Sequence, residues 1–163
     1  YSIFNFFILF IDMEDSKVTK FLDKTIDTIV SKGDNCFNKK YYIFPQSNRI
    51  TNLIIKKYGD EPEFLWKTTP GTGVFRNPES KKWYIAILDI DRSKIQPERT
   101  GLVEIALLKL NPDEVQEIIK QEHFYQGYHM NKKYWITVIL DDSVSDEKIM
   151  KLIETSYSFT VKK

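Results

Sequence analysis

Cysteine is nearly missing from this chain: Cys36 is the only one in 163 residues. A lone thiol excludes an intrachain disulfide and a cysteine-built zinc cluster. It reads as a small apolar filler in a reducing, cytoplasmic compartment. Six glycines and six prolines are too few for a low-complexity segment. No glycine pattern of the dinucleotide, Walker or nucleophile-elbow kind occurs. The GTG at 71–73 precedes a strand pattern, whereas phosphate-cradling loops follow a strand and open a helix.

An excess of either charge is also lacking. The formal net charge is +1, with nine basic against seven acidic residues in 1–60 and fifteen against sixteen in 61–163. Affinity for nucleic acid comes mainly from phosphate neutralisation, so here it would need a local basic patch rather than the overall field. The longest apolar run, YSIFNFFILFI at the start, covers 11 residues. A membrane-spanning helix needs about 20, so no membrane association is expected. The run has neither a basic n-region nor a small-residue cleavage site. Met13, just before a helix-start signal, leaves open that residues 1–12 are upstream sequence.

What is present is apolar material: 42% hydrophobic and 14% aromatic residues, enough for the core of one domain of ordinary size. Val18, Phe21, Leu22, Ile26, Ile29 and Val30 recur at three- and four-residue spacing and predict a helix over about 16–32, stopped by Gly33. A second helix is expected after Ser47, with Ile50, Leu53, Ile54 and Tyr58 on one side and Gly59 at its end. Between them KKYYIFP at 39–45 reads as a short strand closed by Pro45.

Beyond Pro62 the period changes to two. KWYIAILDI at 82–90 and LVEIALLKL at 102–110 predict neighbouring strands, with a long, mobile hairpin tip between them. Asn111 and Pro112 open a helix whose stripe is Val115, Ile118 and Ile119. After a strand over 134–140, Ser145 caps a last helix, with Val144 and Ile149 as a hydrophobic staple. Hairpin-connected strands followed by helices imply an α+β architecture, an antiparallel sheet covered on one face. The other face would be free for work or for the N-terminal helices. The expected organisation is a mostly helical extension, 1–60, and an α+β domain, 61–163.

Candidate chemistry is sparse. His123 and His129 are six apart, with Gly127 between them, whereas helical metal pairs want three or four. Asp141, Asp142, Asp146 and Glu147 cluster at a helix start, where the dipole favours acids in any case. No catalytic residue, metal or cofactor is assigned, and the chain is expected not to be an enzyme. Basic residues do gather at predicted strand ends: Arg76, Lys81 and Lys82; Arg92, Lys94 and Arg99; Lys132 and Lys133. Trp83, Tyr84, Tyr134 and Trp135 lie beside them. Such turns can grip phosphates while aromatic faces contact sugars or bases. Turn lysines also serve solvation, and tryptophans serve the core.

The stretches EFLWK (63–67), VFRNPESKKWYIAILDI (74–90), LLKLNPD (107–113), GYHMNKKYWITVILDD (127–142) and SYSF (156–159), taken in order, resemble the MmcQ/YjbR family of bacteria. The resemblance covers residues 63–160. It implies a CyaY-like (frataxin-like) twisted antiparallel sheet with helices on one face, and a DNA-binding label. Carried onto this chain, the family's segments contain Arg76, Trp83, Lys109, His129, Asn131, Lys132, Lys133 and Trp135. With Lys82, all of these except Lys109 form the candidate nucleic-acid surface. Asn131 has a structural alternative as a turn cap before the strand. The acidic ridge of frataxin iron sites is not matched, because the 16–32 stretch carries Lys17, Lys20, Lys24 and Lys32. Two functions are therefore expected in order: weak DNA binding through the basic strand ends, or a protein-interaction or small-ligand module holding its partner on the sheet face.

Overall fold

The computed structural model describes residues 39–161; the helix expected at 16–32 lies outside them. The elements are α1 (Pro45–Tyr58), β1 (Glu63–Phe64), β2 (Gly73–Arg76), β3 (Trp83–Asp91), β4 (Leu102–Lys109), α2 (Pro112–Ile118), β5 (Phe124–Gln126), β6 (Trp135–Ile139) and α3 (Asp146–Ser158). The strands form one antiparallel sheet in the order β1-β2-β3-β4-β6-β5. β1 and β5 are too short for a period of two to register in sequence. Among the described residues no helix is long and apolar enough to cross a membrane.

Alternation along β3, β4 and β6 sends apolar side chains to both faces. On one face Ile85, Ile87, Leu108, Ile136 and Val138 meet Ile50 and Ile54 of α1, Val115 and Ile118 of α2, and Ile149 and Ile153 of α3. All three helices thus cover the same face: α2 and α3 as the pattern implied, and α1 with them rather than on the other face left open for the N-terminal helices. Each buried isoleucine or leucine contributes roughly 1.5–3 kcal/mol relative to exposure. The helix at 45–58, read in sequence as part of the extension, is therefore a core element of the sheet unit.

The second face is apolar and buried as well. Val74, Ala86, Ile105, Leu107 and Ile139 form a separate cluster there, with Trp83, Ile95, Tyr125, Tyr128, Met130 and Trp135 packed against it. The covering residues include the β3–β4 connection and the loop before β6, which the sequence presented as exposed.

Three local expectations are corrected. Residues 39–45 form no strand, because side chains take their backbone groups: Asn48 Oδ1 accepts from the N–H of Tyr41 and Tyr42 at 2.8 and 3.0 Å, and its amide donates back to the carbonyls of Tyr42 and Phe44. Helix α1 starts at Pro45 and not after Ser47, since proline's fixed φ suits a first helical turn. Phe44 is its cap, and the buried Glu104 carboxylate from β4 accepts from the N–H of Ile43 and Phe44 at 2.8 and 3.1 Å. The 92–101 tip is a folded connection. It opens with a 3-10 turn at Arg92–Lys94 capped by Asp91, and the Arg92 N–H closes on Gly101 O at 2.7 Å.

The remaining helix signals act as read. Gly59 ends α1 in the left-handed region at φ 76°. Asn111 and Glu114 form a capping box on α2, and Ser145 accepts from the Lys148 N–H on α3.

A bulge matters for the site. Arg76 pairs with Trp83 but Phe75 pairs with Ile85, so Tyr84 is an extra residue in β3. Its carbonyl receives the Ser156 hydroxyl, which in turn accepts from the Lys109 N–H at 2.9 Å. Ser156 is fully buried and stitches α3 to two strands. Ser156→Ala is expected to lower stability by about 1–3 kcal/mol, because it orphans a buried backbone donor and acceptor. Ser158→Ala, exposed at the end of the same helix, is expected to stay within about 0.5 kcal/mol of the parent. Urea denaturation midpoints decide, and equal midpoints for the two variants would reject this role.

Candidate functional site

Antiparallel order places the end of β2, the start of β3, the end of β4 and the start of β6 at one end of the sheet. Arg76, Lys82, Trp83, Lys109, Asn131, Lys132, Lys133 and Trp135 are carried there, with Arg76 paired to Trp83 and Lys109 to Trp135 in register. The β2–β3 turn is built by Asn77, whose side chain accepts from the N–H of Glu79 and Ser80 at 3.0 Å. It ends at Lys81, in the left-handed region at φ 59°. Lys81 and Lys82 therefore project from a defined turn rather than a frayed one.

These residues have different free capacity. The Arg76 guanidinium lies over the Trp83 ring at 5.6 Å and reaches Glu63 at 3.4 Å. Trp83 also takes Trp66 edge-on at 5.6 Å, and both Trp83 and Trp135 are half-buried against the second-face cluster. Neither tryptophan is an open stacking platform. Asn131 is a turn-builder, its Oδ1 accepting from the Lys133 N–H at 3.0 Å and its carbonyl from Tyr134 and Trp135. Lys82, Lys132 and Lys133 are exposed and Lys109 is half-buried; none of the four makes an ion pair among the described residues.

His129 belongs to a different neighbourhood. Its backbone sits in the left-handed region at φ 53°, its ring meets Tyr128 edge-on at 4.1 Å, and it lines a groove of about 680 Å³. The groove runs between β5, the 127–132 loop and the tip residues Lys94 and Ile95. Gly127 permits this path. Its N–H donates to Trp135 O at 2.9 Å, and a Cβ there would fall 2.7 Å from the Trp135 side chain.

A smaller cavity of about 150 Å³ adjoins it through the shared wall residue Tyr125, and holds Arg92, Gln96, Arg99, His123 and Asp141. The Gln96 amide donates to the Tyr125 hydroxyl and its carbonyl oxygen accepts from Arg92 Nε, both at 2.7 Å, while Arg92 pairs with Asp141. Burial by itself would raise the Asp141 carboxyl, but donation from Ser143 and Arg92 outweighs it and holds the group below its ordinary range.

The two histidines line different cavities. The acidic cluster is divided among cations: Asp141 with Arg92, Asp142 and Asp146 with Arg49, Glu147 with Lys151. Among the described residues no group of three or more metal-ligating side chains is assembled. Sequence reasoning missed Tyr125, Gln126, Tyr128 and Gln96. A three-residue strand and a tip folded back onto the sheet leave no periodic signal. The aromatics flanking Gly127 in FYQGY were the available clue.

A protein-family model described as YjbR matches residues 55–159. The uncharacterized protein YyaQ of Bacillus subtilis is 31% identical over 105 residues, 64% of this chain and 89% of that protein. The uncharacterized protein YjbR of Escherichia coli K12 is 39% identical over 56 residues, covering 33% of this chain and 47% of its own length. A crystal structure of a protein from Pseudomonas syringae superposes with TM-score 0.68 at 34% identity, over 73% of this chain and all of that one.

The lowered Asp141 carboxyl adds stability that is complete above the unfolded-state value of about 3.9 and is lost as pH falls through its lower folded value. Asp141→Asn is expected to flatten, without abolishing, the stability loss between about pH 5 and 3, since Asp146 is also lowered, by Arg49. Thermal midpoints across that range test it. An acid limb as steep as the parent's would uncouple the Arg92–Asp141 pair from folding.

Proposed function

The chain belongs to the YjbR family, and on that premise we propose that it binds nucleic-acid phosphates weakly through the basic end of its sheet. The observation that carries this reading is the convergence of Lys82, Lys109, Lys132 and Lys133 on one sheet end with no acidic partner among the described residues. Lysines there can neutralise backbone phosphates and release counterions. Near-neutral overall charge sets the affinity low, because little long-range attraction is added. With Trp83 and Trp135 held against the apolar cluster, the contacts go to backbone rather than bases, so the binding discriminates little between sequences.

Fluorescence anisotropy with a generic duplex and a single strand, across a salt series, tests the reading. Four phosphate contacts give a slope of log affinity against log salt of about −3 to −4. Lys132→Glu with Lys133→Glu is expected to abolish binding at an unchanged melting temperature. Lys120→Glu with Lys151→Glu, an equal charge change placed in the turn after α2 and on α3, is expected to shift affinity by about twofold or less. Salt-independent binding, or full affinity in the Lys132/Lys133 double variant, would refute the assignment.

A further inference from the structure

We propose that the groove beside β5 is a binding site for a small aromatic ligand bearing an oxyanion, distinct from the phosphate-binding sheet end although Lys132 borders both. Its volume of about 680 Å³ falls in the range of small-molecule sites, roughly 300–1,000 Å³. Its wall carries both parts of the recognition such a ligand needs. Ile95, Tyr128 and Met130 pack down onto the second-face cluster and present an apolar, aromatic floor. Lys94 from the tip and His129 and Lys132 from the loop supply donors from two sides, and no carboxylate lines the groove among the described residues. That charge balance selects an anion; the same floor with acidic walls would select a cation.

The site is also held in shape. The tip wall is tied to the sheet by the chain of bonds from Asp141 through Arg92 and Gln96 to the Tyr125 hydroxyl. The loop wall is tied by the Tyr128 N–H to Thr137 Oγ1 at 2.9 Å, the same hydroxyl donating to Gln126 O at 2.9 Å. Walls fixed in this way lower the ordering cost of binding. The left-handed backbone at His129, costly for a residue with a side chain, turns the loop at the groove wall that this residue lines.

The experiment is a titration of the full chain with anilinonaphthalene sulfonate, followed by amide chemical shifts, in parallel with phenylnaphthylamine, the same ring system without the sulfonate. The sulfonate is expected to bind saturably at one site, with shifts confined to residues 94–96 and 124–132, and the neutral probe about tenfold more weakly. Lys94→Gln is expected to narrow that difference while leaving the neutral probe unchanged. Lys94 is exposed and lies at the opposite end of β3 from Lys82, so this variant separates the groove from the phosphate-binding end and leaves folding intact. Equal affinity for the two probes, insensitivity to Lys94→Gln, or shifts centred elsewhere would overturn the site.

Discussion

A sheet that is apolar on both faces must be covered on both, and the rest of this molecule follows from that requirement. Strands β3, β4 and β6 place isoleucine, leucine and valine on either side of one layer. One side takes the three helices, whose stripes of three- and four-residue spacing match a flat apolar surface. On the other side the β3–β4 connection and the loop before β6 fold inward, bringing Ile95, Tyr128 and Met130 against the strands. Loops drawn down in this way leave a groove between them, so the candidate small-molecule site is a by-product of covering the second face.

Folding the chain this tightly leaves backbone groups away from water, and side chains satisfy them at the junctions. Glu104 receives the amides that lead into α1, Asn48 occupies those of Tyr41 and Tyr42, and Ser156 joins the bulged Tyr84 of β3 to Lys109 of β4. Gln46 joins the starts of α1 and α3, donating to Val144 O and Asp146 and accepting from the Asp142 N–H at 2.8 Å. Each of these contacts joins residues that the ladders and helices do not, and a buried polar group without a partner costs more than a satisfied one contributes. The polar residues inside this fold are therefore positional, setting where α1, α3 and the bulge sit.

Charge is distributed by the same geometry. Near the start of α3 every acidic side chain has a nearby cation, which explains why four clustered carboxylates do not amount to a metal site. At the other extreme, Lys82, Lys132 and Lys133 lie at turn ends beyond the reach of those acids. A chain with a formal charge of only +1 thus keeps a locally basic end. The smaller polar cavity, with its Arg92–Asp141 pair, belongs to neither function; it fastens the tip that walls the groove.

Much of the architecture was legible in the residues themselves. The caps at Asn111 and Ser145, the stop at Gly59, the strands around 83–91 and 102–109 and the antiparallel α+β class depend on local rules of φ, capping and alternation, which act between residues a few positions apart. Membership of the family was legible too, because its motifs carry turn and strand chemistry in a set order. The turn role of Asn131 and the core role of the tryptophans were legible as alternatives; undeclared in the sequence were the fate of residues 39–45, the burial of the second face, the engagement of Arg76 by Trp83 and Glu63, and the groove. Each of these turns on a partner distant in the chain: Glu104 lies 61 residues from Ile43 and Tyr125 lies 29 from Gln96. Local propensity determined which elements form; only the tertiary structure, by deciding which distant side chains compete for the same backbone group or charge, decided which residues were left free to bind anything.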